Sequence, residues 1–283
     1  MAMGLVTVPD SAWFEIDRCY PVEMAERRRL LRERRAEVFA ALPASDAARK
    51  ETLAAVTDNL CRHHPAWFTQ DSTTLRNRLT NEAWRLDEPS LDPLVLAGLL
   101  VQEDLCLIQN MAEGPVFSAG ILCFPSRWRL DEKIGRPLLA VHGSVPFYAE
   151  RLGGAVDRFM RNVKPGYTAC RLNWSVLDDP ALFQPTGKWR TGINPDITAD
   201  NAGERLHLRV ERQTLRRLPE SGAMLFGIRV HSYPLVMAVG TPTVAASLAA
   251  AVSALPLEMS HYKSISPFRA ALLRWLEARA HAG

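Results

Sequence analysis

The stretch Leu206-His-Leu-Arg-Val-Glu-Arg-Gln-Thr-Leu-Arg-Arg-Leu218 decides the fold. Leu206, Leu208 and Val210 fall on one side of an extended chain, and His207, Arg209 and Glu211 fall on the other. Alternation of that kind is the signature of a half-buried strand. Its neighbours read the same way. Tyr167–Leu177 carries the strand formers Tyr167, Thr168, Trp174 and Val176, and Met224–Val236 is a third strand candidate. Three strands in succession predict an antiparallel meander. Pro180–Gly203, rich in Pro, Gly, Asn and Asp, predicts a long functional or mobile loop between the first two.

Upstream, Asp104–Ile108 and Val116–Phe124 read as two more strands, followed by predicted helices over Leu130–Val141 and Pro146–Val163. Strands arriving in groups, not in alternation with helices, give an α+β class built on an antiparallel sheet with flanking helices. The first 90 residues read as helical, over Pro21–Leu42, from Ser45 or Asp46 to His63-His64-Pro65, and over Ser72–Leu86. Asp87-Glu-Pro-Ser-Leu-Asp-Pro93 reads as a connection. Pro242–Leu255 and Pro267–His281 close the chain as helices. The expected organisation is therefore an N-terminal helical extension over 1–90, a core over 91–240 and C-terminal helices over 241–283.

Composition bounds the function. The chain has 283 residues, 47% hydrophobic and 23% charged, which can build a core without disulfides. A net charge of +3 does not argue for nucleic acid, and no apolar run reaches the ~18 residues of a membrane span. Met1–Trp13 has neither a basic start nor an apolar core, so no signal peptide is expected and the cytoplasm is the predicted compartment. Only five of the 34 basic residues are lysines, Lys50, Lys133, Lys164, Lys188 and Lys263. Cys19, Cys61, Cys106, Cys123 and Cys170 never form a Cys-x-x-Cys pair, which leaves zinc ribbons, cysteine-ligated iron–sulfur clusters and covalently attached haem unsupported. Cys106 and Cys123 lie in apolar runs and read as core residues. Glycine-rich nucleotide loops and the Gly-x-Ser-x-Gly elbow are absent too.

Among seven histidines, His142 ends an apolar segment, Ile134–Val141, and precedes Gly143. A neutral imidazole so placed is a candidate iron ligand, although spacing alone favours a core histidine bonded to backbone. The arginines of Arg209–Arg217 suit either a solvated strand or recognition of a carboxylate. Alternation puts Arg212 and Arg216 on one face and Arg217 on the other. Trp128 and Trp174 can line an apolar cavity or fill a core.

Several segments in one order resemble a known family. They are Gln102-Glu-Asp-Leu-Cys106, Phe124-Pro-Ser-Arg-Trp128, Asp131-Glu-Lys-Ile-Gly135, Val141-His-Gly-Ser-Val-Pro146, Arg171-Leu-Asn-Trp-Ser175, Arg209-Val-Glu-Arg-Gln-Thr-Leu-Arg-Arg-Leu-Pro219 and Ser221-Gly222. Over roughly residues 95–235 the chain resembles the alpha subunit of haem-dependent oxidative N-demethylase.

The resemblance implies a PAS-like fold holding haem b through iron. It implies monooxygenase-type oxidative N-demethylation of a small secondary amine, dimethylamine, with dioxygen, releasing formaldehyde. Electrons would come from NADPH through a partner flavin/iron–sulfur reductase subunit, so a hetero-oligomer is expected, with no nucleic-acid or membrane partner. In haem-binding PAS domains the iron ligand comes from the helical stretch before the last strands, where His142 sits. The chain offers Arg127, Arg171, Arg212 and Arg216 to the haem carboxylates, at least one of Arg127, Arg212 and Arg216 is expected to meet them, and Trp174 is expected beside the cofactor. The alternatives are a noncatalytic haem or small-ligand module of the same fold, and a structural subunit without haem.

Overall fold

The computed structural model describes residues 4–112, 114–141, 143, 146 and 154–282. Among them are strands β1 (Val6–Val8), β2 (Phe39–Ala41), β3 (Phe68–Asp71), β4 (Thr74–Asn77), β5 (Glu82–Arg85), β6 (Asp104–Met111), β7 (Gly114–Ile121), β8 (Thr168–Leu177), β9 (His207–Arg217) and β10 (Met224–Pro234). Seven form one sheet in the order β1-β8-β9-β10-β6-β7-β2, and β3-β4-β5 form a separate meander. Every neighbouring pair is antiparallel. The molecule is thus α+β with a large antiparallel sheet and flanking helices.

The alternating stretch is β9, paired with β8 on one side and β10 on the other. Arg171 stands opposite Gln213, Asn173 opposite Glu211, and Arg212 opposite Arg229. Paired residues share a face, so β9 separates two chemically different surfaces. Its odd-numbered residues look toward the helices Leu138–Val141 and Gly154–Asn162. Its even-numbered Arg212 and Arg216 look toward the N-terminal segment, residues 10–17.

That segment is fastened by charge. Arg212 donates to the carbonyls of Ala12 and Trp13 and pairs with Glu15. Arg216 pairs with Asp10 and stacks 4.1 Å from the Trp13 ring. Arg229, 1% exposed, pairs with Asp17 at 2.7 Å and Glu23 at 2.8 Å. Gln102 and Glu103 complete the fastening, and Asp104 beside them ties Arg27 to the end of β7. Gln102 donates to Asp17 and Glu23, Glu103 accepts the Glu15 N–H, and Asp104 accepts those of Cys123 and Phe124 while pairing with the buried Arg27. Buried polar groups need such partners.

The helices at the N-terminal end are Tyr20–Glu33, Asp46–His63 and Pro93–Gly98, the last capped by Asp92, whose carboxylate accepts the Leu94 N–H at 2.9 Å. The expected helix over Pro21–Leu42 stops early: the chain passes through a short helical turn at Arg35–Val38 and enters β2, where Phe39–Ala41 pairs with β7 at the sheet edge. Ladder bonds to an existing sheet override local helix propensity there. The expected helix over Ser72–Leu86 is instead the β3-β4-β5 meander. Ser72 and Asn81 take left-handed φ values of 51° and 55°, which turn the chain. Alternation buries Leu75 and Asn77 while Arg76 stays exposed. Leu130–Val141 is helical only from Leu138, since Gly135 has φ 74° and Pro137 bridges Val116. Within Pro146–Val163 the described helix is Gly154–Asn162.

The C-terminal helices are Pro242–Ser253, Leu257–Tyr262 and Arg269–Ala280, and the first and last build a second apolar cluster with Val176, Leu206 and Leu235. Gly203 lets Trp275 approach so closely that a Cβ there would lie 2.5 Å from the ring. Cys106 and Cys123 are buried and unpaired, as expected of core thiols. No helix among the described residues is long and apolar enough to cross a membrane.

Candidate functional site

A cavity of about 380 Å³ lies against the odd-numbered face of β8 and β9. That size falls within the ~300–1,000 Å³ of small-molecule and cofactor sites. Ile108, Phe117, Leu215, Phe226 and Ile228 from the sheet, with Leu138, Val141, Val156, Phe159 and Met160 from the two helices, make much of it apolar. Trp128 and Trp174 also line it.

The polar part comes from β8, β9, the loop after β8 and the helix Leu257–Tyr262 with its cap. Glu211 is held by two amides: its Oε2 accepts from Asn173 Nδ2 at 3.1 Å and from Gln213 Nε2 at 2.7 Å. Its Oε1 accepts nothing from a described residue. Arg171 Nε donates to Gln213 Oε1 at 2.7 Å, and its two terminal nitrogens have no hydrogen bond to a described residue. Lys263 donates to Asn173 Oδ1 at 3.2 Å and to the Trp174 carbonyl, with its ammonium 5.3 Å from the Trp174 ring. Lys188 reaches the Tyr262 hydroxyl at 3.3 Å, and Lys133 donates to the Val141 carbonyl at 2.6 Å.

Burial sets the protonation of these groups. It pushes Lys188 down to about 8, with the Lys133 and Lys263 charges acting in the same direction. It pushes Lys263 down to about 8 and Tyr262 up to about 12. Glu211 is the one carboxylate among the described lining residues, against Lys133, Arg171, Lys188 and Lys263. The wall therefore carries excess positive charge beside an apolar slot, and it favours a ligand with an apolar body and more than one negative group.

Two further arginines line the cavity and are already engaged. Arg209, 1% exposed, donates to Ser126 Oγ and to the carbonyls of Phe124, Pro125, Ala181 and Leu182. It thereby ties the loop after β7 to the loop after β8. Arg127 pairs with Asp178 at 2.6 Å, and with Arg190 it holds that carboxylate below its usual range against the effect of burial. Pro180–Gly203 is thus a long loop, as expected, and the arginines anchor its start. Lys188 sits on it.

Of the residues expected from the sequence, Arg127, Arg171 and Trp174 line the cavity together. Arg212 and Arg216 are placed on the opposite face of β9, where Asp10, Glu15 and the Ala12 and Trp13 carbonyls take up their donors. The strand period separates them from the odd-numbered wall. His142 lies outside the described residues; its chain neighbour Val141 lines the cavity. Sequence reasoning passed over Glu211, Lys188, Lys263 and Tyr262. The scarcity of lysine was a usable signal, since three of the five line this one cavity.

The chain belongs to the haem-dependent oxidative N-demethylase, alpha subunit-like family, whose family model matches residues 4–273.

Proposed function

We propose that the cavity holds haem b and that the chain is the oxygenase subunit that N-demethylates a small secondary amine of the dimethylamine kind, releasing formaldehyde. The observation that carries this reading is the wall itself: an apolar slot beside cations that lack carboxylate partners among the described residues. Haem has the matching form, a flat apolar body with two carboxylates. The two strands, the intervening helices and the three-strand return are in keeping with a PAS-like core.

In this reading Arg171 and Lys263 meet the haem carboxylates, since their remaining donors face the cavity and charge-assisted bonds are strong where water is excluded. Trp174 and Arg127 shape the rim. His142, next to Val141, is the proposed iron ligand. Bound haem supplies the dioxygen chemistry and the electron transfer that no side chain here can provide. Glu211 supplies the amine site. Two amides fix Oε2, which leaves Oε1 to accept an N–H from a protonated secondary amine and orient its methyl groups. Electrons come from NADPH through a partner flavin/iron–sulfur reductase, since this chain has neither a glycine-rich nucleotide turn nor a cysteine cluster.

The test is a pyridine haemochrome assay on haem-supplied protein, followed by formaldehyde release from dimethylamine with NADPH and a surrogate reductase. One noncovalent haem per chain and release that depends on the reductase are expected, with His142→Ala altering or losing the haem spectrum. Absence of a Soret band overturns the reading. Reduction of bound haem without product across a panel of secondary amines replaces it with a noncatalytic haem module.

A further inference from the structure

The same cavity holds a lysine that the binding of haem and amine leaves without a task. Lys188 follows Gly187, whose carbonyl accepts from Ser264 Oγ at 2.8 Å, and it precedes Trp189, whose ring packs edge-on at 5.6 Å from Tyr262. The loop backbone is therefore fixed on both sides of the side chain. The ammonium lies 4.7 Å from the Tyr262 ring centre and 3.3 Å from its hydroxyl. No described carboxylate forms an ion pair with it. Lys263 differs: it already donates to Asn173 Oδ1 and to the Trp174 carbonyl.

We propose that Lys188 is a carbonyl-capturing amine that condenses with a small aldehyde in the cavity, with Tyr262 as the proton donor. The identity of that aldehyde as formaldehyde rests on the demethylase reading; the condensation itself does not. The neutral Nζ attacks the carbonyl carbon, a C–N bond forms, and the C=O electron pair moves to oxygen, which takes the Tyr262 proton. One nitrogen proton restores Tyr262, which passes a second proton to the hydroxyl; water leaves as C=N forms, and the last nitrogen proton returns to Tyr262. Aldehyde and amine give imine and water, with no change in oxidation state.

The surroundings raise the neutral share of the amine above that of a solvated lysine. Burial and the facing ammoniums of Lys133 and Lys263 outweigh the opposing carboxylates of Glu211 and Glu132, while Arg171 adds positive charge beside Lys263. A desolvated lysine beside other cations is the usual setting of a nucleophilic amine. Tyr262 stays protonated under the same burial and so remains a donor. With its amine at about 8, Lys188 has roughly 200-fold more neutral form at pH 7 than a solvated lysine.

The experiment treats the haem-loaded full chain with limiting formaldehyde and cyanoborohydride at pH 7 and maps methylated peptides by mass spectrometry. Lys188 is expected to be methylated at least about tenfold faster than the exposed Lys50 and Lys164, with a half-point near pH 8. Tyr262→Phe should slow Lys188 severalfold and leave Lys50 unchanged. Equal rates at all three lysines overturn the proposal, as does preferential labelling of Lys263, labelling of Lys188 only after haem is removed, or no effect of Tyr262→Phe. Formaldehyde is added directly, so fast labelling without demethylation would remove the demethylase reading and leave the capture site. Demethylation without fast labelling would do the reverse.

Discussion

The two faces of β9 carry charged side chains from the same eleven residues and use them in opposite ways. On the even-numbered face, Arg212 and Arg216 give their donors to residues 10–17, and Arg229 across the ladder does the same. On the odd-numbered face, one Glu211 oxygen and, beside it, the terminal nitrogens of Arg171 bond to no described residue. A buried ion whose partners are fixed protein groups serves the fold. One that retains unpaired atoms toward a cavity is poised for a ligand, because desolvation makes the missing partner worth supplying. Arginine richness by itself therefore says nothing of binding; what decides is whether protein groups take up the donors, as they do for Arg209 even on the odd-numbered face.

The largest effect belongs to the even-numbered face. Arg229→Met leaves Asp17, Glu23 and the nearby Glu103 without their cation, and unfolding by denaturant should show a loss of about 3–5 kcal/mol. A loss below 1 kcal/mol would mean that this face is not fastened by its charges.

Next comes Glu103, whose carboxyl burial raises to about 7. Between an unfolded value of about 4.3 and that figure, the folded chain keeps a proton that the unfolded chain has lost. The contribution of this group to stability therefore falls as pH rises through that window and is flat above it. Glu103→Gln should remove the fall, gaining roughly 2–4 kcal/mol over the wild type at pH 8 relative to pH 4. Parallel stability–pH curves for the two proteins would show that Glu103 does not hold its proton.

The odd-numbered face is probed by ligand retention. Arg171→Ala should weaken haem binding by about 1.5–3 kcal/mol, or roughly ten- to a hundredfold, with little change in the unfolding midpoint. Arg216→Ala should lower stability and leave haem affinity in place. Competition for haem by apomyoglobin measures both, and the opposite ranking would reverse the assignment of the faces. The smallest effect is at Arg190, which shares Asp178 with the buried Arg127 but is 43% exposed. Arg190→Ala should cost less than about 1 kcal/mol, and thermal melts would reveal more if the exposed partner were the one that matters.

Much of this architecture is legible in the residues. The alternation of Leu206–Leu218, the strand formers of Tyr167–Leu177 and the proline-opened helix from Pro242 are local patterns, and local patterns survive folding when tertiary contacts agree with them. Ser72–Leu86 departs from the expected helix because its turn residues, Ser72 and Asn81, take left-handed conformations that composition alone does not announce. Phe39–Ala41 leaves its helix because a sheet edge some 80 residues away in sequence offers ladder bonds. The family motifs were visible as strings, yet their uses were not. Gln102 and Glu103 prove to fasten the N-terminal segment, whereas Arg171 and Glu211 face the cavity.

By itself, then, the sequence determined the α+β class, the three-strand return and the family, since these rest on period and on ordered motifs. Which charges are satisfied and which remain open was decided only in three dimensions. Arg216 lies on an alternating strand and Lys188 in a loop rich in Pro, Gly, Asn and Asp, and neither string says what pairs with its charge. Asp10, brought more than 200 positions along the chain, engages the first, while no described carboxylate pairs with the second. Long-range pairing of that kind is a property of the folded surface, because a charge's partner is set by what packs against it and not by what precedes it.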